Sequence, residues 1–307
     1  MKKCVVLYNK QSGKNKKNDF LREFEKILKE NDYEVSILQS QYKGHVTDIV
    51  ASLNDDVDLV LSVGGDGTFN ESMRGNFKRR NRLLLAHIPT GTTNDVGKMF
   101  GYSKNPVSNL KLLMDGVIKK MDICMINDNP FIYVAGFGKY MNISYETKRK
   151  SKRKFGYLAY VFNAMKNFCK KTKMHDITYQ INNESFSGNY SFFAITNATR
   201  IAGVKVYDDI KLDDNKFEVI FCSIKKRKNI IKALIKFKRK GINNVAGIYF
   251  HRSNNLKIKV NDLEKITCCL DGEEFNLNEN EIEVKVEQTK IMIPNKNVDV
   301  LFKKNKN

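Results

Sequence analysis

Several things are scarce in this chain, and each scarcity closes off a class of protein. Its six cysteines, Cys4, Cys124, Cys169, Cys222, Cys268 and Cys269, include no C-x-x-C pair. Most lie in apolar, strand-like runs, which reads as reduced packing residues rather than a disulfide framework. The four histidines, His45, His87, His175 and His251, lack metal-ligand spacing, which argues against zinc. No apolar run approaches the ~20 residues of a membrane-spanning helix. The start, Met1-Lys2-Lys3-Cys4-Val5-Val6-Leu7-Tyr8, has too short an apolar part for a signal peptide and reads as a first strand. A cytoplasmic protein is the resulting expectation. Four prolines in 307 residues, with 41% hydrophobic content, indicate a folded chain long enough for two domains. No G-x-G-x-x-G follows a strand, which counts against a dinucleotide cofactor.

Acidic residues are also few: 34 against 54 Lys and Arg, a net charge of +20. Such an excess attracts nucleic acid, a phospholipid surface or a phosphorylated substrate, although a solvated Lys- and Asn-rich surface gives the same total. One dense run is Lys148-Arg149-Lys150-Ser151-Lys152-Arg153-Lys154, and another joins Lys225–Lys228 to Lys236, Lys238, Arg239 and Lys240. Neither carries the stacking aromatics of a nucleic-acid surface, so nucleic acid is not expected and an anionic membrane surface is favoured.

Against these absences stands one stretch rich in signal, Leu59-Val60-Leu61-Ser62-Val63-Gly64-Gly65-Asp66-Gly67-Thr68-Phe69-Asn70-Glu71. Its apolar half reads as a buried parallel strand. Three glycines then allow a sharp turn, and Thr68 or Asn70 is placed to cap the following helix. A strand, a glycine turn and a helix N-terminus together suit a phosphate, and Asp66 suits Mg²⁺ in phosphoryl transfer. Alone, the stretch reads equally as a tight structural turn.

The rest of the first half repeats the alternation. Strands at Cys4–Tyr8, Tyr33–Leu38 and Leu83–Ile88 alternate with helices at Asp19–Glu30 and around Val46–Leu53. This predicts a parallel sheet with right-handed crossovers, whose ligand crevice lies at the carboxyl ends of its strands. The loops Asn9–Gly13, Ser40, Gly64–Asn70 and Gly91–Asp95 should therefore converge, the last bringing a second carboxylate, Asp95. Beyond Met121 strands follow one another: Phe131–Ala135, Ile177–Ile181, Tyr190–Thr196, Phe217–Cys222, Leu256–Val260, Ile266–Leu270 and Ile282–Ile293. They predict an antiparallel sandwich or barrel, interrupted by helices near Tyr157–Lys170 and Lys228–Lys240. Leu270-Asp271-Gly272-Glu273-Glu274-Phe275 is a third acidic cluster, readable as an Asp-Gly hairpin turn. Leu212-Asp213-Asp214-Asn215-Lys216-Phe217 reads as a turn or as a hard-cation site at Asp214.

Three of these motifs in this order resemble the bacterial diacylglycerol kinase-like lipid kinases, related to the catalytic domains of diacylglycerol, sphingosine and ceramide kinases. Gly64-Gly65-Asp66-Gly67-Thr68 with Asn70-Glu71 looks like the family's nucleotide signature. Pro89-Thr90-Gly91-Thr92-Thr93-Asn94-Asp95 is similar to its second loop, and Leu270-Asp271-Gly272-Glu273 to its catalytic loop. The first motif is shared with NAD kinases and phosphofructokinases; the three together are far more specific.

The resemblance implies a Rossmann-like, NAD kinase-like α/β domain at residues 1–125, with 295–307 packing back on it, and a larger β-rich domain at 126–294. It implies ATP contacts from Asn9, Lys10, Gln11, Ser12, Gly13, Ser40, Gly64, Gly65, Asp66, Gly67, Thr68, Phe69, Asn70 and Thr92. Asp271 or Glu273 would be the general base, and the resemblance admits either. Asp66, Asp95 and the remaining catalytic-loop carboxylate, Glu273 where Asp271 is the base, would hold Mg²⁺. Lys211, Asp214 and Lys216 would hold a structural Mg²⁺. Lys148, Arg149, Lys150, Lys152, Arg153 and Lys154 are the candidate membrane contacts.

The implied activity is ATP- and Mg²⁺-dependent phosphorylation of a membrane lipid, foremost diacylglycerol to phosphatidic acid, by a protein on the inner face of the cell membrane. Another lipid acceptor, an NAD kinase and a non-catalytic nucleotide or lipid sensor are the alternatives, and a homodimer is left open. Departures from the family pattern are Lys10, Thr93, Asn215, the stretch Thr196–Gly203 and Asp208-Asp209. The last two bear on the identity of the lipid.

Overall fold

The computed structural model describes residues 1–9, 19–138, 173–201, 204–205, 210–226, 229–230, 232–233, 236 and 245–303. The expected helix at 157–170 and most of the one at 228–240 lie outside the described residues.

The chain opens with β1 (Lys2–Tyr8), α1 (Asp19–Glu30), β2 (Tyr33–Gln39), α2 (His45–Ser52), β3 (Leu59–Gly64), α3 (Asp66–Phe77), β4 (Leu85–Pro89), α4 (Asp95–Met99) and α5 (Pro106–Met114). It continues through β5 (Val117–Ile126), β6 (Asn129–Phe131), β7 (Val134–Gly138), β8 (His175–Ile181), β9 (Glu184–Tyr190) and β10 (Phe192–Thr196). Two short strands, β11 (Arg200–Ile201) and β12 (Val204–Lys205), pair with each other. The remainder is β13 (Phe217–Cys222), β14 (Ile248–Ser253), β15 (Asn255–Val260), β16 (Ile266–Leu270), β17 (Glu273–Leu277), β18 (Glu281–Ile293) and α6 (Val298–Leu301).

These elements form two units: Met1–Asp122 with Thr199–Asp214 and Gln288–Asn307, and Ile123–Ala198 with Asn215–Glu287. In the first, β2, β1, β3 and β4 pair in parallel, and Ile291 and Met292 of β18 add a fifth parallel strand beside β4. All six residues of β3 are buried, as a strand covered on both faces requires. Helix α1 follows its periodicity, burying Phe24, Ile27 and Leu28 on one side. Helix α5 begins where Asn105 accepts from the N–H groups of Val107 and Ser108, with Pro106 at the first helical position.

The second unit is an antiparallel sandwich. One sheet runs β14-β13-β10-β7-β16-β17, and the other includes β9, β8, β15 and the first part of β18. Burial alternates along β8 and β15, and the inward residues meet in one core. Tyr179 stacks on Phe221 with ring centroids 3.7 Å apart, and Phe193 packs beside them.

Two expected strands are broken, each for a local reason. Phe131–Ala135 is interrupted at Ile132 and Tyr133, whose N–H groups turn to the Asp271 carboxylate. Tyr190–Thr196 is divided at Ser191, whose N–H and hydroxyl both donate to the Cys222 carbonyl, so that β9 and β10 belong to different sheets. Residues 199–214, expected with the second domain, belong to the first unit. There Leu212 donates to Leu301 and its carbonyl accepts from Asp122.

The described cysteines, Cys4, Cys124, Cys222, Cys268 and Cys269, are all free and buried, and burial pushes the Cys4 thiol up to about 12. They are packing residues; Cys169 lies outside the described residues.

Candidate active-site loops

The parallel register brings the predicted loops of the first unit together. Asn9 donates to Val63, Ser40 to Tyr8 and Thr90 to Gly64, all through main-chain N–H groups. The residues leaving β1, β2, β3 and β4 therefore start side by side at the carboxyl ends of their strands. Lys10, Gln11, Ser12 and Gly13 lie outside the described residues.

The glycine turn differs from the expected cap. Thr68 and Asn70 lie inside α3, and its N-cap is Gly65, in an extended conformation with no side-chain cap. The N-cap being a glycine, no cap side chain competes with an anion for the N-terminus of α3, although the Thr68 N–H turns back to the Gly65 carbonyl at 2.9 Å. Thr68 instead folds over Gly64, where an added Cβ would overlap its side chain. Phe69 turns inward, 1% exposed, and stacks on His87 at 4.8 Å, so it offers a ligand only its backbone. Burial lowers the His87 pKa to about 4, while Nδ1 lies 3.1 Å from the Ser62 carbonyl.

Asp66 joins the turn after β3 to the loop after β4. Its Oδ2 accepts from the Asp95 N–H at 3.0 Å and its Oδ1 from the Val96 N–H at 3.1 Å. It thereby supplies the cap of α4 that Asn94, left-handed at φ 51°, does not. The loops touch backbone to backbone: a Cβ on Gly91 would stand 2.6 Å from the Gly65 Cα. Asp95 is 3% exposed, whereas Thr92 projects outward. Beside them Thr90 Oγ1 and Asn94 Oδ1 are buried without hydrogen-bond partners.

In the second unit, Asp271 and Gly272 form the two-residue turn between β16 and β17, with φ of 48° and 85°. Positive φ at both positions is the type I′ geometry that an Asp-Gly pair favours. The Asp271 carboxylate does not face outward. Its Oδ2 accepts from Ile132 N–H at 2.7 Å, and its Oδ1 from Tyr133 and Val134 N–H at 2.9 and 3.0 Å. Glu273, half-buried, begins β17.

At the acidic loop 212–217, Asn215 takes φ 60°. The Lys211 ammonium reaches the carbonyls of Asp299 and Val300, and both Asp213 oxygens accept from the Lys303 N–H. Asp214 and Lys216 flank Asn215, and among the described residues no cluster of three His, Cys, Asp or Glu side chains is found. The basic residues Lys148, Arg149, Lys150, Lys152, Arg153 and Lys154 lie outside the described residues.

Asp122 and Tyr133 escaped the sequence reading, and Glu71, quoted there within the glycine motif, was given no role of its own. Glu71 accepts from the Gly44 N–H at 3.1 Å and ties the loop after Ser40 to α3. Asp122, fully buried, accepts from Gln288 at 2.7 Å; its signal was a lone carboxylate inside an apolar strand. Tyr133 bonds the Asp271 turn and carried no sequence signal.

A parallel α/β unit with a glycine turn at the start of a helix, in one chain with a sandwich that carries an Asp-Gly-Glu hairpin, is the layout of a class of phosphotransferase. Residues 3–126 match the family model described as diacylglycerol kinase catalytic domain. The diacylglycerol kinase of Staphylococcus haemolyticus (strain JCSC1435) is 31% identical over 223 residues, 72% of this chain and 67% of its own. That of Bacillus subtilis (strain 168) is 28% identical over 277 residues, 89% and 90% of the two chains. The crystal structure of a diacylglycerol kinase from Bacillus anthracis str. Sterne shares the fold, with TM-score 0.79 at 20% identity over 97% of this chain and 98% of that one. The chain belongs to the diacylglycerol kinase family. It is a kinase, and the family implies ATP as its phosphoryl donor.

Proposed function

We propose that this chain transfers the γ-phosphoryl group of ATP to the free hydroxyl of diacylglycerol, giving phosphatidic acid and ADP. The observation that carries the reading is the gathering of the residues that leave β1 to β4 beside the start of α3, whose N-cap is a glycine. Asn9, Ser40, Gly64–Asn70 and Thr92 hold the nucleotide, with Lys10, Gln11, Ser12 and Gly13 beside them in the proposal. The diacylglycerol acceptor rests on the names of the relatives.

Glu273 takes the acceptor's proton. Three N–H donors already take three of the acceptor positions of the Asp271 carboxylate, which ties it to the chain and leaves it less available than Glu273 to receive a proton. Asp271 therefore orients the hairpin, and Glu273 is its working carboxylate. As the hydroxyl oxygen bonds to the γ-phosphorus, its proton passes to Glu273, the bond to the β–γ bridging oxygen breaks and ADP leaves.

The donor set fits Mg²⁺. Asp66 and Asp95 sit on adjoining loops with the buried, unpartnered oxygens of Thr90 and Asn94, a hard-oxygen environment. Bound there, the cation would neutralise charge on the transferring phosphoryl group. At the loop 212–217, Asp214 with the carbonyls of Lys211 and Lys216 would hold a structural Mg²⁺, since Asn215 supplies the left-handed residue the turn needs. The net charge of +20 supports docking at the anionic inner face of the cell membrane. No helix among the described residues is long and apolar enough to cross one.

The test is a transfer assay with radiolabelled ATP and mixed micelles of diacylglycerol, ceramide, a sphingoid base or monoacylglycerol, with NAD as a soluble acceptor. Label in phosphatidic acid is the expected result. Label only in another lipid reassigns the acceptor, label in NADP makes the chain an NAD kinase, and no transfer overturns the reading.

A further inference from the structure

Every polar group of Asp271 is held by residues 132–134. Its carboxylate takes three N–H groups, its own N–H donates to the Val134 carbonyl at 2.8 Å, and its carbonyl accepts the Tyr133 hydroxyl at 3.0 Å. Most of these partners are main-chain groups, present whatever side chains stand there. The exception is the phenol of Tyr133, the one side-chain contribution among these five bonds. It lands on the peptide that links Asp271 to Gly272, the peptide whose plane sets the direction in which the chain proceeds to Glu273.

That peptide needs holding. Asp271 sits at φ 48°, a region open to Asp only at some cost, and Gly272 at φ 85° has no side chain to restrain it. Packing against β7 fixes the near side of the turn, because Leu270 pairs with Ala135. On the far side Glu273 pairs with Leu270 across the hairpin. Tyr133 itself is fixed at its backbone: its N–H goes to Asp271 and its carbonyl accepts from Asn197. A ring anchored at its root and bonded at its tip makes a rigid strut between the start of β7 and the turn.

We propose that Tyr133 is a positioning residue for Glu273, acting through the Asp271–Gly272 peptide. The proposal rests on Glu273 being the base. Removing the hydroxyl leaves the packing and the main-chain bonds but lets the peptide rotate, so that the Glu273 carboxylate spends less time at the acceptor hydroxyl. Misplacement of a catalytic group by about 1 Å costs on the order of 10²-fold in rate.

The test is a double-mutant cycle on the full chain with ATP and diacylglycerol micelles, comparing wild type, Tyr133→Phe, Glu273→Gln and the double variant. Tyr133→Phe is expected to lower kcat by about 10- to 100-fold, with KM for both substrates changed less than about twofold. In the Glu273→Gln background the same change is expected to cost less than about twofold, since the group it positions is gone. Full additivity, or a Tyr133→Phe effect confined to KM, overturns the positioning role. Near-wild-type activity of Glu273→Gln instead overturns the base assignment on which it rests, whatever Tyr133→Phe does. A Tyr133→Phe enzyme with unchanged kcat overturns the proposal outright. Matching thermal unfolding of Tyr133→Phe and wild type separates this role from a loss of fold.

Discussion

Asp271 is buried and Glu273, two residues on, is half-buried, and substitutions should separate their roles. Asn at position 271 tolerates the left-handed turn but presents an amide –NH₂ toward N–H donors, so at least one of three bonds is lost. Asp271→Asn is expected to destabilise the protein by about 1–3 kcal/mol, read in urea unfolding, and to lower activity through the displaced hairpin. Unchanged stability would contradict the clamp. His87 gives a second expectation at this scale. Burial holds its folded pKa near 4 against 6.5 for a free imidazole, so the unfolded chain binds the extra proton between those values. Stability is therefore full above pH 6.5 and falls by roughly 3 kcal/mol as the pH drops to 4. His87→Phe should flatten that slope; an unchanged slope would place the acid sensitivity elsewhere.

Among the elements, the contact between the turn after β3 and the loop after β4 is where the proposed nucleotide site is tested. The Asp66 bracket and the Gly65–Gly91 approach both depend on having no side chain between the two backbones. Gly91→Ala pushes a methyl against the Gly65 Cα and is expected to raise the ATP KM by on the order of tenfold or more, measured at saturating lipid. A Gly91→Ala enzyme with an unaltered ATP KM would show that the loops work independently. The glycine turn and the strand before it were legible in sequence because both are local: an apolar run, then three glycines in four positions. The breaks at Ile132–Tyr133 and at Ser191 were not legible. Each is caused by a partner far along the chain, Asp271 in one case and Cys222 in the other, which no local pattern reports.

For the whole molecule, the chain leaves the first unit after Asp122, returns for Thr199–Asp214 and ends there from Gln288. The alternation of strands and helices showed that the first 120 or so residues form a parallel sheet. It could not show that Ile291 and Met292 complete that sheet, since hydrophobic pattern does not name a partner strand. The candidate site was legible in the same uneven way. Its three acidic motifs stood out by composition, but the link from Asp66 to the start of α4 and the spending of Asp271 on residues 132–134 required the structure. The charge of +20 yields a measurement at this scale. Sedimentation with anionic phosphatidylglycerol vesicles is expected at low salt and should weaken at least tenfold by 0.5 M NaCl, with little binding to neutral vesicles. Equal binding to both would remove electrostatics from the account.

The central claim is that this kinase phosphorylates a lipid hydroxyl with Glu273 as base. The most direct measurement is the initial rate of label transfer from ATP to diacylglycerol by wild type and Glu273→Gln, both at saturating ATP. The account expects phosphatidic acid from wild type and a rate lower by about 10²- to 10⁴-fold in the variant, with unchanged unfolding. Equal rates in the two proteins, or no labelled phosphatidic acid from wild type, would contradict it.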